Sequence, residues 1–490
     1  MKMFIDGEWV DSSSESVLTK INPSTGTAME DFPAGTKDDV SRAIDAAESA
    51  FEPWQSLGSR ERSKLLLKAA EMMERYRTEL EHLLMSENGK IAIQAREEVE
   101  GALDQIRYYA GFERKITGDV VEGDTSERRI FQYKVPYGVV VALTPWNFPV
   151  GMVARKLAPA LLTGNTVVLK PSSDTPLTAA WIVRAFADAG FPDGVLNLVT
   201  GKGSEIGDFI VSHRKVSLVT MTGSTATGQR IMNNASSNMA KLILELGGKA
   251  PYMVWKGANI ENAVRSLIWA KFWNGGQSCV AAERLYVHED IYEPFMARFM
   301  EVVKRLKVGD PMDADIGPLI NNAALESAEK FVKDAVDAGS KLVFGGRKVR
   351  VAGSFGKGFY FRPTVMENID QDSELFQEEI FGPIIGVKKV SSFDEMMELA
   401  NDSKYGLASY LFAEDQKVIF QAAERIRFGE LYVNMPGPES SQGYHTGFRM
   451  TGQAGEGSRY GIEEYVKLKN VYVDFSGKTV AFRSFRRDLF

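Results

Sequence analysis

The one cysteine of the 490-residue chain, Cys279, closes the run Asn274-Gly275-Gly276-Gln277-Ser278-Cys279. A lone cysteine can be a small buried hydrophobe packed among bulky apolar residues. Here two glycines precede it and small residues follow, which would let a substrate carbonyl approach the sulfur. The chemistry open to such a thiol is nucleophilic attack and a covalent intermediate. Upstream, Glu245 lies in the apolar run LILEL, ahead of Gly247-Gly248-Lys249. A carboxylate placed there is partly desolvated, which raises its pKa toward the range of a general base.

A second set of residues suits a phosphate-bearing ligand. NTVVLK ends in Lys170-Pro171-Ser172-Ser173, VLNLVT enters Gly201-Lys202-Gly203 with Gly207 beyond, and VSLVTMT ends in Thr222-Gly223-Ser224 with Gly228 beyond. Glycines let backbone approach a pyrophosphate, and free N–H groups at a helix start attract anions. The Gly201-x-Gly203-x-x-x-Gly207 spacing is a Rossmann fingerprint with one residue too many. A lysine at the carboxyl end of a parallel strand faces the crevice where dinucleotides bind. Each feature alone also fits an ordinary turn or cap; three strand ends in series favour a cofactor.

These groups need strands and helices to hold them. Residues 38 to 56 and 60 to 85 carry apolar side chains at helical spacing and predict two amphipathic helices. From residue 139 onward, VVVAL, NTVVLK, VLNLVT and VSLVTMT alternate with helical stretches, the pattern of a doubly wound parallel sheet. APYMVW, RLYVHE, KLVFGG and ELYVN form a second series after Gly248, which predicts a second α/β domain. Arg129 to Val135 and Asn470 to Phe475 alternate with period two and have no helix of their own, so they are expected to pair as an antiparallel extension.

Composition narrows the function. One thiol forms no internal disulfide and no multi-cysteine metal site, so no metal is expected and cytoplasmic residence is the default. A net charge of −7 offers no large basic surface for nucleic acid or anionic lipid, which leaves small-molecule partners. Asp6 and Glu8 interrupt any signal-peptide core. Val135 to Ala154 is uncharged, but Pro136, Pro145 and Pro149 with Gly138 and Gly151 fit a buried strand and tight loop better than a membrane span.

Six motifs in order resemble the aldehyde dehydrogenase superfamily: Thr144-Pro145-Trp146-Asn147-Phe148-Pro149, Lys170-Pro171-Ser172, Gly223-Ser224 to Gly228, Glu245 to Lys249, Gly276-Gln277-Ser278-Cys279, and Glu378-Glu379-Ile380-Phe381-Gly382-Pro383. Lys170 to Pro176, Asn434-Met435-Pro436-Gly437-Pro438 and Gly443-Tyr444-His445-Thr446-Gly447-Phe448-Arg449 are similar to the lactaldehyde dehydrogenase-like branch, nearest its NADP-dependent, non-phosphorylating D-glyceraldehyde dehydrogenases.

The resemblance implies a Rossmann-type cofactor domain (1–122 and 138–247), an α/β catalytic domain (248–446), and a β-strand oligomerisation arm with a C-terminal segment (123–137 and 447–490) of a homotetramer, a dimer of dimers. It makes Cys279 the nucleophile, Glu245 the base that hydrolyses the thioester, Asn147 an oxyanion donor and Glu456 a proton relay. It places Thr144, Pro145, Trp146, Lys170, Ser172, Ser173, Gly203, Gly207, Thr222, Gly223, Ser224, Leu246, Glu379 and Phe381 against the dinucleotide, and Arg155 and His445 in the substrate channel. Ser173 stands where many NAD-using relatives have a ribose-binding glutamate, and the missing charge favours NADP, with NAD possible. The expected reaction is oxidation of D-glyceraldehyde to D-glycerate. Alternatives are lactaldehyde or glycolaldehyde, succinate semialdehyde held by Arg155, an acylating enzyme using coenzyme A, and an inactive dinucleotide-binding protein.

Overall fold

Residues 1–478 are described by a computed structural model, so the 479–490 part of the expected C-terminal segment lies outside the described residues. β-Branched runs form the centre of an eight-stranded sheet. Its five parallel strands are Val139–Thr144, Thr166–Pro171, Leu196–Leu198, Val216–Thr222 and Lys241–Glu245. Numbered along the chain, they lie side by side in the order 3-2-1-4-5, so the strand order reverses between Val139–Thr144 and Val216–Thr222. That is the switch point where doubly wound sheets open a ligand crevice beyond their carboxyl ends.

Gly452–Gln453 returns from the far end of the chain and pairs antiparallel with Lys241–Glu245. A Cβ on Gly452, which has φ 138°, would stand 1.9 Å from the Leu244 carbonyl oxygen, so only glycine permits this pairing. The pairing fixes the loop that bears Glu456 against the strand that bears Glu245.

The second sheet has seven strands. Ala250–Val254, Ala282–His288, Ala408–Phe412, Glu430–Val433, Ile384–Val390 and Thr364–Glu367 run parallel, and Lys341–Phe344 adds an antiparallel edge. The expected alternation is present, with three strands more than the sequence pattern suggested: Thr364–Glu367, Ile384–Val390 and Ala408–Phe412. The third sheet pairs Arg128–Pro136 with Val466–Asp474, antiparallel as expected, and adds Asp119–Glu122. Tyr133, Leu468 and Tyr472 are exposed on it.

The helical stretch expected over 60 to 85 is broken. Ser59–Arg75 ends at Tyr76, whose ψ of 11° leaves the helical range, and Arg77–Leu83 begins a new helix. The Tyr76 ring packs edge-on against Trp181 and its hydroxyl donates to Asp188 at 2.5 Å, so a neighbouring helix holds the break. Among the described residues, no helix is long and apolar enough to cross a membrane.

Two buried glutamates cap helices that start at site loops. Glu98 accepts from the backbone N–H groups of Val150 and Gly151 at the start of Pro149–Leu162, and Glu87 does the same for Leu177 and Thr178 at the start of Pro176–Asp188. A negative charge there satisfies orphan donors and the helix dipole together. Lys90 joins this bracing by donating to Glu98 and to the Asn147 carbonyl.

In the second sheet, Glu283 is buried between Lys249 (2.7 Å) and Lys271 (3.7 Å) and accepts from the N–H groups of Ile380 and Phe381. Glu283→Ala would leave two buried ammonium groups unpaired and is expected to cost about 3–5 kcal/mol. The urea midpoint should fall clearly below that of the native protein, and an unchanged midpoint would refute this role.

Candidate active site

The thiol of Cys279 is presented by a distorted turn. Asn274, Gly275 and Gly276 all have positive φ, and this compact segment turns the chain from the helix Ile260–Phe272 back toward the sheet. A Cβ on Gly248 would lie 2.1 Å from the Cys279 carbonyl oxygen. The glycine after the Glu245 strand therefore lets the two chemistry-bearing segments touch.

Cys279 lines a cavity of about 530 Å³ together with Asn147, Arg155, Thr222, Glu245, Glu439, His445 and Glu456. Trp269 and Trp273, stacked at 4.6 Å, form part of its apolar wall. All six catalytic and substrate residues expected from the sequence thus meet in one chamber.

Both carboxylate oxygens of Glu245 lack a hydrogen-bond partner among the described residues. Burial raises Glu245 well above the ordinary carboxylate range; His445, 3.8 Å away, only partly offsets it. A buried, unpartnered carboxyl with a raised pKa is a stronger base toward water than a solvated one. Asn147 is fixed at both ends: its carbonyl oxygen accepts from Lys90 and Asn274, and its side-chain amide donates to the Gln277 carbonyl at 3.1 Å. An amide nitrogen carries two hydrogens, so one donor remains for a ligand in the cavity.

Glu456 is not the solvated loop carboxylate its glycine neighbours suggest. It is 2% exposed, Lys156 donates to it at 2.5 Å and Thr220 at 3.2 Å. Burial would raise it, but the charges of Lys156 and Arg155 bring it below the ordinary value.

The opposite wall is also ionic. Arg155 donates to Glu439 at 2.5 Å, and His445 Nδ1 faces Glu430 at 2.9 Å and Glu439 at 3.6 Å. Burial disfavours the imidazolium, yet the two carboxylates raise His445 well above its ordinary pKa. Donor atoms of Glu430, Glu439 and His445 lie within 4.8 Å of one another. A metal ion there would have to displace Arg155 and an imidazole proton, so the cluster is better satisfied as ion pairs. Lys156, Glu430 and Glu439 escaped the sequence reading; only Glu439, just after Pro436-Gly437-Pro438, stood beside a recognised motif.

Beyond the other end of Thr222 lies a second cavity of about 320 Å³, lined by Thr144, Lys170, Ser172, Gly203, Gly207 and Thr222 among others. It sits at the switch point of the first sheet. Lys170 is 8% exposed and, among the described residues, its ammonium donates only to the Pro171 carbonyl; burial lowers it to about 8. The hydroxyls of Thr144 and Thr222 are buried without partners among the described residues. A buried cation, orphan hydroxyls and two helix starts fit an anionic, hydroxyl-bearing ligand. Asp208 and Arg230, paired at 2.6 Å across the mouth, were not anticipated.

The remaining expected cofactor residues surround these cavities without lining them. Gly223 N–H bonds to the Glu245 carbonyl, Ser224 caps the helix Thr225–Ala235, and Leu246 N–H bonds to Thr451. Ser173 donates to the Gly201 carbonyl at 3.0 Å. Pro145 and Trp146 lie in the loop before Pro149–Leu162, and the Trp146 ring meets Phe381 edge-on at 5.3 Å. Glu379 accepts from Gly248 N–H at 2.8 Å, and burial raises it to about 8.

The Arg155–Glu439 pair generates a pH test. Burial pushes Glu439 up, but Arg155 and His445 bring it down to about 2, below its ordinary 4.5. A depressed carboxylate stabilises the fold at pH above 4.5 and loses that contribution as pH falls toward 2. Arg155→Met should therefore lower stability by about 3–5 kcal/mol at neutral pH, with the gap to the native protein closing below pH 4.5. Equal gaps at pH 7 and pH 3 would contradict the pairing.

Residues 9–471 match the model of the aldehyde dehydrogenase family. The chain is 65% identical to a D-glyceraldehyde dehydrogenase (NADP(+)) of Thermoplasma acidophilum, covering 100% of this chain and 99% of the relative, and 64% identical to one of Picrophilus torridus with the same coverage. Among solved structures, a 3,6-anhydro-L-galactose dehydrogenase in complex with NAP is 40% identical with a TM-score of 0.94, covering 96% of this chain and 99% of that one. Lactaldehyde dehydrogenase from Escherichia coli is 38% identical with the same TM-score and coverage.

Proposed function

The chain belongs to the aldehyde dehydrogenase family, and from that premise we propose that it oxidises D-glyceraldehyde to D-glycerate with NADP through a thioester on Cys279. The observation that carries this reading is the position of Thr222, which lines both the thiol chamber and the switch-point cavity. A hydride donor held at the thiol and an acceptor held in the crevice meet there.

In this reading the first sheet, with residues 1–122 and 138–247, holds the cofactor, and residues 248–446 supply the nucleophile. Lys170, Thr144, Thr222, Ser172 and the starts of the helices Gly203–Ser212 and Thr225–Ala235 would hold the dinucleotide. Bound NADP supplies the hydride acceptor. Ser173 brings no negative charge to the ribose, which supports NADP over NAD.

Cys279 attacks the aldehyde carbon, and the free N–H of Asn147 receives the developing oxyanion. One such donor is worth about 3 to 4 kcal/mol. After oxidation Glu245 deprotonates a water that attacks the thioester, and Glu456, bridged to Lys156, passes the proton on. Because Glu245 is raised, hydrolysis gains as pH rises through its titration and fails when it is protonated. A hydrolytic base beside the thioester counts against transfer to coenzyme A.

The ionic wall supports a hydroxylated substrate, since an apolar chain would leave Arg155, Glu439 and His445 without new partners. Arg155 is already engaged by Glu439, which counts against a substrate with a distal carboxylate such as succinate semialdehyde. The same reading takes the protein as a cytoplasmic homotetramer, with the exposed apolar side chains of the three-stranded sheet as its contact.

Cys279→Ser is expected to lower kcat by on the order of 10³-fold or more while NADPH still binds. Unchanged turnover would eliminate the mechanism. In the native enzyme kcat/KM should be higher for D-glyceraldehyde than for hexanal and higher with NADP than with NAD; a reversed order in either pair would refute that part of the assignment.

A further inference from the structure

We propose that Cys279, His445 and Glu430 form a triad that holds the proton of the thiol, so that Glu245 serves hydrolysis alone; this deepens the reading of Cys279 as nucleophile and rests on it. His445 lies on the short strand His445–Thr446, clamped by antiparallel pairing to Gly455–Glu456, and is 5% exposed. Its Nδ1 faces Glu430 Oε1 at 2.9 Å, which leaves Nε2 as the nitrogen directed into the chamber. The ring and the Cys279 thiol line the same cavity, and Nε2 is 3.8 Å from Glu245. Glu430 is oriented in turn, because its second oxygen accepts from the Tyr432 hydroxyl at 2.9 Å. A nucleophile, a base and a group that orients the base are the parts of an activated nucleophile on any fold.

The competing acceptor, Glu245, has no hydrogen bond that aims it at sulfur. Glu439 faces the same imidazole nitrogen from a longer distance and is committed to Arg155.

The charges around the ring also require its proton. Glu430 and Glu439 both face Nδ1, at 2.9 and 3.6 Å. A buried ring that faces two carboxylates is better satisfied protonated than neutral. Tyr410 and Tyr432, packed nearby, bring hydroxyls but no charge at neutral pH.

In the step itself, Sγ starts as the thiolate of an ion pair whose proton Nε2 already holds, and Nδ1–H stays donated to Glu430. The sulfur electron pair then forms the bond to the aldehyde carbon, and the carbonyl electron pair moves onto oxygen. No oxidation state changes in this addition.

Because Cys279 is the only cysteine, alkylation of the whole chain by iodoacetamide reads one site without aldehyde or turnover. His445→Gln is expected to move the midpoint of the alkylation rate against pH upward by at least about one unit and to lower the rate at pH 7 by about tenfold or more, since a one-unit shift is a tenfold change in thiolate. Glu430→Gln should move it in the same direction by less, which gives a second reading if the histidine variant no longer binds NADPH. Glu245→Gln should leave the midpoint in place. A native profile in both His445→Gln and Glu430→Gln, or an equal shift in Glu245→Gln, would overturn the triad. Failure of the nucleophile assignment shows up separately, as turnover retained by Cys279→Ser.

Discussion

An ionised group taken out of water costs several kcal/mol unless another charge meets it. Around Cys279 the chain packs the buried Glu245, Glu430, Glu456, Lys156 and His445 together with the half-buried Arg155 and Glu439. Two ion pairs there join segments far apart in sequence, Lys156 with Glu456 and Arg155 with Glu439, and a third joins His445 to Glu430, 15 positions before it. The helix Pro149–Leu162, the strand Glu430–Val433 and the loops bearing Glu439 and Glu456 must therefore all arrive together for any of them to be stable there. Glu245 is the exception, buried with its oxygens unpaired among the described residues. A group left unsatisfied inside an otherwise paired cluster is where strain is kept for chemistry.

The same economy explains the link between the two cavities. The strand Val216–Thr222 buries apolar side chains around Thr220 and ends in a hydroxyl and a glycine at the switch point of the sheet. Gly223 N–H holds the Glu245 carbonyl, so the strand that borders the crevice also fixes the base. Glu98 and Lys90, remote from the thiol in sequence, hold the start of the Asn147 helix. Positioning is thus distributed over buried polar groups that bond both to each other and to backbone.

Much of this could be read from the sequence because the relevant signals are local. The βαβ alternation, the glycines around Cys279 and the apolar run holding Glu245 depend on neighbours a few residues away. What could not be read is pairing over long separations. Lys156 follows Arg155 in an apolar helix, and nothing near it indicates a carboxylate 300 positions on. Glu430 opens an ordinary strand, and only the fold turns it toward His445. Ile384–Val390 was missed because glycine and two lysines interrupt its apolar pattern, and the break at Tyr76 depends on Trp181 and Asp188 in another helix.

The central claim is a covalent acyl intermediate on Cys279 that Glu245 discharges. The direct measurement is the intact mass and peptide map of Glu245→Gln protein, mixed with D-glyceraldehyde and NADP and quenched in acid. The account predicts one glyceroyl adduct per chain, on the peptide containing Cys279, persisting far longer than in the native enzyme. An unmodified Cys279 with NADPH formed at the native rate would contradict it.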